Sequence, residues 1–324
     1  MKTNFANLLD FALHVCRTYN ICDNTLDDAQ LEKHCPLDNG RYDCTPPSTS
    51  FATKLNQLDR LPLELLIEVL LQLDIPSLTR FRRLNRRTMM LVNSVHQYTA
   101  IIEHCPNIIR AIVSVRADAF DCATLYRTLC TSRCFTCNRF GDHLYLIDCR
   151  RVCYFCFTHR PEYFPLTSRE ASRFFNPNAQ AQSKSKSSRK LLELANPPSI
   201  LSLPGRYCGA LTVRGGKLQP RRLQLYDRQA VVQSLSGCGL SQSEKTIEEP
   251  KRFMAIISAP VLLNSGRHID QGFFCLGCRD ELDKNTKHFR IKYTIEDMPE
   301  HIARYGRIVE SSIPGRFMHG TKDQ

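Results

Sequence analysis

The chain has 324 residues, 42% hydrophobic and 23% charged: long enough for two or three domains and too apolar to be disordered throughout. Its longest uncharged apolar run, near Met254 to Leu263, contains Pro260 and falls far short of a bilayer span, so no membrane partner is expected. The formal charge of +12 is dispersed over Arg82, Arg83, Arg86 and Arg87, Lys184 to Lys190, and Arg221 with Arg222, without interleaved aromatics; solvated basic faces that also suit acidic protein partners fit this better than a nucleic-acid stripe.

Residues 1–54 read as a poorly ordered leader, with one short amphipathic helix over Asn4 to Arg17. Cys16, Cys22, Cys35 and Cys44, with His34, are too irregularly spaced for a metal site. Asp10 and His14 interrupt the apolar stretch from Phe5 to Val15, and no small-residue cleavage site follows. The expected location is therefore cytoplasmic and/or nuclear. Sixteen cysteines in a reducing compartment point to metal rather than to disulfides.

Residues 55–99 carry the densest apolar pattern. Pro62 suits a helix start and Glu64 follows in the first turn. Leu65, Leu66, Val69, Leu70 and Leu73 then share one broad face at helical spacing. Asp74 and Pro76 end that helix and open a second, with Leu78, Phe81 and Leu84. Asn85 is an N-cap for a third, ahead of Met89, Leu91 and Val92. Three short helices cannot bury all these side chains among themselves, so the surplus requires the rest of the chain or a partner.

This stretch resembles an F-box, the helical module that docks on a Skp-family adaptor of a cullin-RING ubiquitin ligase. The resemblance rests on Leu61-Pro62, Glu64-Leu65-Leu66, Val69-Leu70, Leu73-Asp74, Ser77-Leu78 and Leu84-Asn85-Arg86-Arg87. Thr88 stands where many F-boxes carry Trp, and the chain has no Trp. The resemblance implies adaptor contacts from Leu61, Pro62, Leu65, Leu66, Val69, Leu70, Leu78 and Leu84. Through the adaptor it implies a cullin.

Residues 100–175 read as a helical bridge followed by a Cys-rich module. Ile101, Ile102, Ile108, Ile109, Ile112 and Val113 belong to helices beneath the first three, and Asp118 to Leu129 to one more. The strongest chemical signal comes next: Cys134-x-x-Cys137, fifteen residues, then Cys153-x-x-Cys156. Such pairs can form knuckles that aim four thiolates at one zinc ion, a closed structural centre with no open position. Cys149 is the alternate ligand; Cys130, His143 and His159 also lie within reach. An F-box followed by this segment, with Arg151 before Cys153 and a later Gly205-Arg206-Tyr207, resembles a fungal group of F-box proteins.

Residues 176–199 are polar and Ser/Lys-rich and read as a flexible linker. Residues 200–324 form a mixed region that would hold a substrate. It contains Cys275-x-x-Cys278, half of a second metal site, with His301 on a downstream helix. The fungal layout implies a closing cysteine where this chain has Tyr305, which leaves His288, Cys238 or Cys208 as candidates for the fourth ligand. The expected class is α+β: a helical F-box, a small four-cysteine zinc-ribbon-like segment and a mixed C-terminal region. The expected function is a non-catalytic substrate receptor of an SCF ubiquitin ligase, with an unidentified protein substrate. The alternative is a zinc-dependent nucleic-acid-binding regulatory protein, which leaves the leucine face unexplained.

Overall fold

A computed structural model describes residues 15–16, 25–37, 60–174, 185–207, 217–234, 250–280 and 288–320. Two short N-terminal pieces come first, β1 (Val15–Cys16) and α1 (Asp28–His34). Asp27 caps α1, accepting from Gln30 N at 2.8 Å. Six helices follow: α2 (Leu63–Leu71), α3 (Ile75–Arg82), α4 (Arg86–Asn93), α5 (His96–His104), α6 (Pro106–Val115) and α7 (Cys122–Leu129). Their boundaries follow local chemistry. Pro62 precedes α2, and Asp74 caps α3 by accepting from Ser77 N. Asn85 and Thr88 form a reciprocal capping box at the start of α4. Thr88 is fully buried there, so a capping residue fills the position where a Trp is common.

The Cys-rich module consists of β2 (His143–Tyr145), β3 (Arg150–Val152) and α8 (Tyr154–His159). Next come β4 (Leu166–Thr167), α9 (Ser168–Phe174), α10 (Ser185–Ala195), β5 (Ser199–Leu201), β6 (Gly205–Tyr207), β7 (Lys217–Gln219), β8 (Gln224–Tyr226) and α11 (Arg228–Gln233). The C-terminal part contains β9 (Ile256–Ser258), β10 (Val261–Leu263), β11 (His268–Asp270), β12 (Phe273–Cys275), α12 (Leu276–Asp280), β13 (Lys292–Tyr293), α13 (Met298–Tyr305), β14 (Ile308–Glu310) and β15 (Phe317–His319). Among the described residues every strand lies in a small antiparallel sheet, so the class is α+β.

Pairing runs across the expected domain limits. β9 adds to β2, giving the order β3-β2-β9, and β8 lies between β4 and β5. Residues beyond 200 thus complete sheets begun before 175. A linker over 176–199 is not free along its whole length: Leu192 of α10 is buried with Leu166, Ala171 and Val231. The apolar stripe of α10 requires such a partner, and the polar residues before it masked this in the sequence.

The leader is corrected in the same way. Val15–Cys16 is a strand on β12, not the end of a helix. Leu26, Leu31 and Leu37 are buried in the main core, which extends to Leu262. Leu26 N donates to Ile256 O at 3.1 Å, and Arg110 of α6 holds Asp28 at 3.0 Å. The helix expected over Asn4 to Arg17 otherwise lies outside the described residues, as do Cys22 and Cys44.

Arg151 ties these parts together. It is 2% exposed. Its guanidinium donates to the carbonyls of Thr128, Leu129, Gly141, Ala259 and Pro260 at 2.6–3.3 Å. One buried cation therefore satisfies carbonyls from the helical bundle, the Cys-rich module and the C-terminal part. Gly141 lies against it; a Cβ there would meet Arg151 Cγ at 2.7 Å.

Arg150 of the Cys-rich module holds α11: its Nη1 donates to Gln229 Oε1 at 2.7 Å. Asp148 meets Arg150 Nη2 at 2.7 Å beside the buried Tyr145 and Asp227. Burial, partly opposed by Arg150, pushes the Asp148 carboxyl up to about 7. The folded state therefore holds a proton that the unfolded chain releases near 3.8. This contribution is complete below the unfolded value and is lost as pH rises through about 7. Urea midpoints taken from pH 5 to pH 8 should fall for the wild type and fall less for Asp148→Asn; parallel profiles would remove Asp148 as the source.

Candidate functional site

The apolar pattern over residues 61–90 splits into an inward and an outward set. Leu66, Leu70 and Leu78 are buried, at 6%, 4% and 0% exposure, against the helical core. They are not available to a partner, which corrects their expected adaptor role. Helix phase is the reason: Leu66 and Leu70 lie one turn apart on the face of α2 that meets the bundle. Leu65 and Val69 repeat the same spacing about 100° around the helix, on its outward flank, and are 47% and 49% exposed. Leu61, Pro62 and Leu84 are also exposed. Leu63 and Met90, which the sequence pattern did not single out, are exposed as well, at 48% and 54%. Their exposure follows from the same helical phase, once the inward face is known.

The first metal candidate assembles as the spacing predicts. Cys134, Cys137, Cys153 and Cys156 place their four sulfurs within 4.8 Å of one another. Cys137 Sγ and Cys153 Sγ are 3.5 Å apart. A tetrahedral zinc with bonds of about 2.3 Å separates its sulfurs by about 3.8 Å. The first pair sits on a tight knuckle: Cys134 N donates to Arg139 O at 2.7 Å, and Asn138 turns the chain with a φ of 61°. The second pair differs from the expected ribbon. Cys153 caps α8 and Cys156 lies in its first turn, so one knuckle faces one helix start. The thiols share protons in this space. Hydrogen bonds from Cys153 and Cys156 drive Cys134 toward thiolate, and the Cys134 contact pushes Cys156 up to about 12. A bound cation would replace those protons.

The alternate ligands are excluded by position. Cys149 turns into the core beside Thr128, at a φ of 62°, and burial pushes its thiol up to about 12. His143 Nδ1 holds Asp142 at 2.7 Å, and Cys130 lies beside Tyr126. His159 Nδ1 pairs with the Thr158 hydroxyl at 2.7 Å.

The second candidate is complete. Cys275, Cys278 and His301 are joined by His319, with all four donor atoms within 4.8 Å of one another. Cys275 ends β12 and Cys278 lies in α12, while His301 and His319 come from α13 and β15. Tyr305 is not a ligand; its ring packs 4.9 Å from that of His301 and 5.8 Å from that of His319. Cys208 and Cys238 lie outside the described residues. Sequence reasoning missed His319 because it lies on a hairpin well past His301, beyond any short spacing rule. Hydrogen bonding from Cys278, with the histidines adding to it, lowers the Cys275 thiol to about 3.

No helix among the described residues is long and apolar enough to cross a membrane. Comparison with curated proteins and with solved structures finds no match. A family model for the F-box domain matches residues 58–99, so the module formed by α2, α3, α4 and the start of α5 is an F-box domain.

Proposed function

We propose that this protein is a non-catalytic substrate receptor of an SCF-type ubiquitin ligase. The observation that carries the reading is an F-box domain whose outward residues Leu61, Leu65, Val69 and Leu84 stand exposed as large apolar side chains. Several exposed large apolar side chains on one small folded module fit an interaction surface. A Skp-family adaptor is the partner an F-box calls for, and a cullin follows through it. The remainder of the chain, with the layout resembling the fungal group, would hold a protein substrate in the cytoplasm and/or nucleus. The receptor needs no chemistry of its own. Holding a lysine near the transferred ubiquitin raises its effective concentration. Zinc in the four-cysteine centre is structural in this reading, because four thiolates close the coordination shell. Co-expression with a Skp-family adaptor tests the proposal: the two should co-purify through gel filtration at a one-to-one ratio. Folded receptor that elutes free of adaptor would defeat it.

A further inference from the structure

We propose that Cys275, Cys278, His301 and His319 bind one zinc ion, and that this ion clasps both ends of the described chain, β1 and the β14–β15 hairpin, onto one unit. The inference rests on neither adaptor docking nor substrate binding.

The donor geometry suits a single ion. His319 Nε2 lies 3.5 Å from Cys275 Sγ and 3.3 Å from Cys278 Sγ, and His301 Nε2 lies 3.6 Å from Cys278 Sγ. Zinc bonds of about 2.3 Å to sulfur and 2.0 Å to nitrogen give tetrahedral S···N edges of about 3.5 Å. A two-iron cluster would hold its histidines and cysteines on separate metals, farther apart. Two thiolates beside two neutral imidazoles offset the charge of a divalent ion, so the centre is neutral, as its burial favours.

The surroundings are shaped around His319. Its Nδ1–H donates to Gly306 O at 3.0 Å, which fixes the ring and leaves Nε2 for the metal. On the other side, a Cβ at Gly277 would meet His319 Nε2 at 3.0 Å. Gly306 has a φ of 97°, and a Cβ there would collide with Gly320 O, just past the ligand. The two glycines thus permit the approach of β15 to the Cys-x-x-Cys turn.

The ion also supplies what the unit lacks. Its buried cluster is Cys275, Cys278, Met298 and Ile308, with Val15, Tyr293, Ile302 and Phe317 partly covered. Half of the buried cluster is ligand. Such a core is too small to order the segments that meet there, and small units of this kind fold with metal. The clasp reaches both ends directly. Val15 of β1 pairs with the ligand Cys275, and the ligand His319 pairs with Ile308 across the C-terminal hairpin.

Zinc analysis of the full-length protein tests this. Wild type should carry two zinc ions per chain, and His319→Ala should carry one. Gly277→Ala, which keeps every ligand, should release the second zinc at lower chelator concentration than wild type. Hydrogen exchange in His319→Ala should rise at residues 15–16 and 273–320, while residues 60–174 keep their protection. Cobalt-loaded wild type should show absorption from both an all-sulfur site and a mixed sulfur–nitrogen site, a measurement that does not depend on how any variant folds. One zinc per wild-type chain, a purely all-sulfur cobalt spectrum, or two zinc ions retained in His319→Ala would each overturn the proposal.

Discussion

Cys137→Ser should remove one zinc from the protein and unfold the Cys-rich module with it. A serine hydroxyl does not ionise near neutral pH, so three of the four sulfurs that meet at this centre would remain. Structural zinc supplies about 10–16 kcal/mol of apparent binding free energy in small metal-folded domains. That matches or exceeds the whole stability of an ordinary domain, about 5–15 kcal/mol, so losing even a third of it is severe. The damage should not stay local. Leu144, Ile147, Phe157 and Tyr163, near the four cysteines in sequence, are fully buried and belong to the same core as the F-box helices. Metal analysis and thermal melting on the same samples provide the check. Cys149→Ser is the control, because that thiol sits in the core away from the four ligands; it should keep its zinc. Wild-type zinc content in Cys137→Ser would overturn the assignment, and zinc loss in Cys149→Ser would restore Cys149 as a ligand.

The parts of this structure that were legible in the sequence are those decided by neighbours. Pro62, Asp74 and Asn85 each mark a helix start through an interaction within three residues. The four-cysteine centre was legible because two close pairs flank a single short hairpin. What could not be read depends on distant partners. The helix Leu63–Leu71 is apolar on most of its surface, so its pattern alone did not separate Leu66 and Leu70 from Leu65 and Val69. The bundle behind it decides that. Leu26, Leu31 and Leu37 follow no period long enough to announce a core element, and their burial depends on α6 and β9. β8 finds its partners β4 and β5 across residues that look like linker. His319 reaches its site only when β15 folds back along β14. In each case the local signal was weak and the long-range packing was specific.

Leu65→Asp combined with Val69→Asp should abolish adaptor binding while leaving the receptor folded. Both side chains are about half exposed in the free chain, so charge there stays solvated and the core is untouched. Docking would bury them. Each large aliphatic side chain contributes roughly 1.5–3 kcal/mol when fully covered. Because each is already about half covered in the free chain, docking adds about half of that, and losing both weakens binding by about 10- to 10²-fold before the added cost of desolvating two carboxylates. The gentler pair Leu61→Ala with Pro62→Ala should weaken binding less, by removing an exposed apolar contact and the preset helix start. The neighbouring change Leu66→Asp provides the contrast. It places a carboxylate in a site only 6% exposed and should unfold the F-box outright. Titration calorimetry against a purified Skp-family adaptor, beside circular dichroism and zinc analysis, separates the outcomes. The outward double variant should keep wild-type helicity and zinc and lose binding; Leu66→Asp should lose helicity first. Tight adaptor binding by a folded Leu65→Asp, Val69→Asp protein would show that α2 docks through some other face.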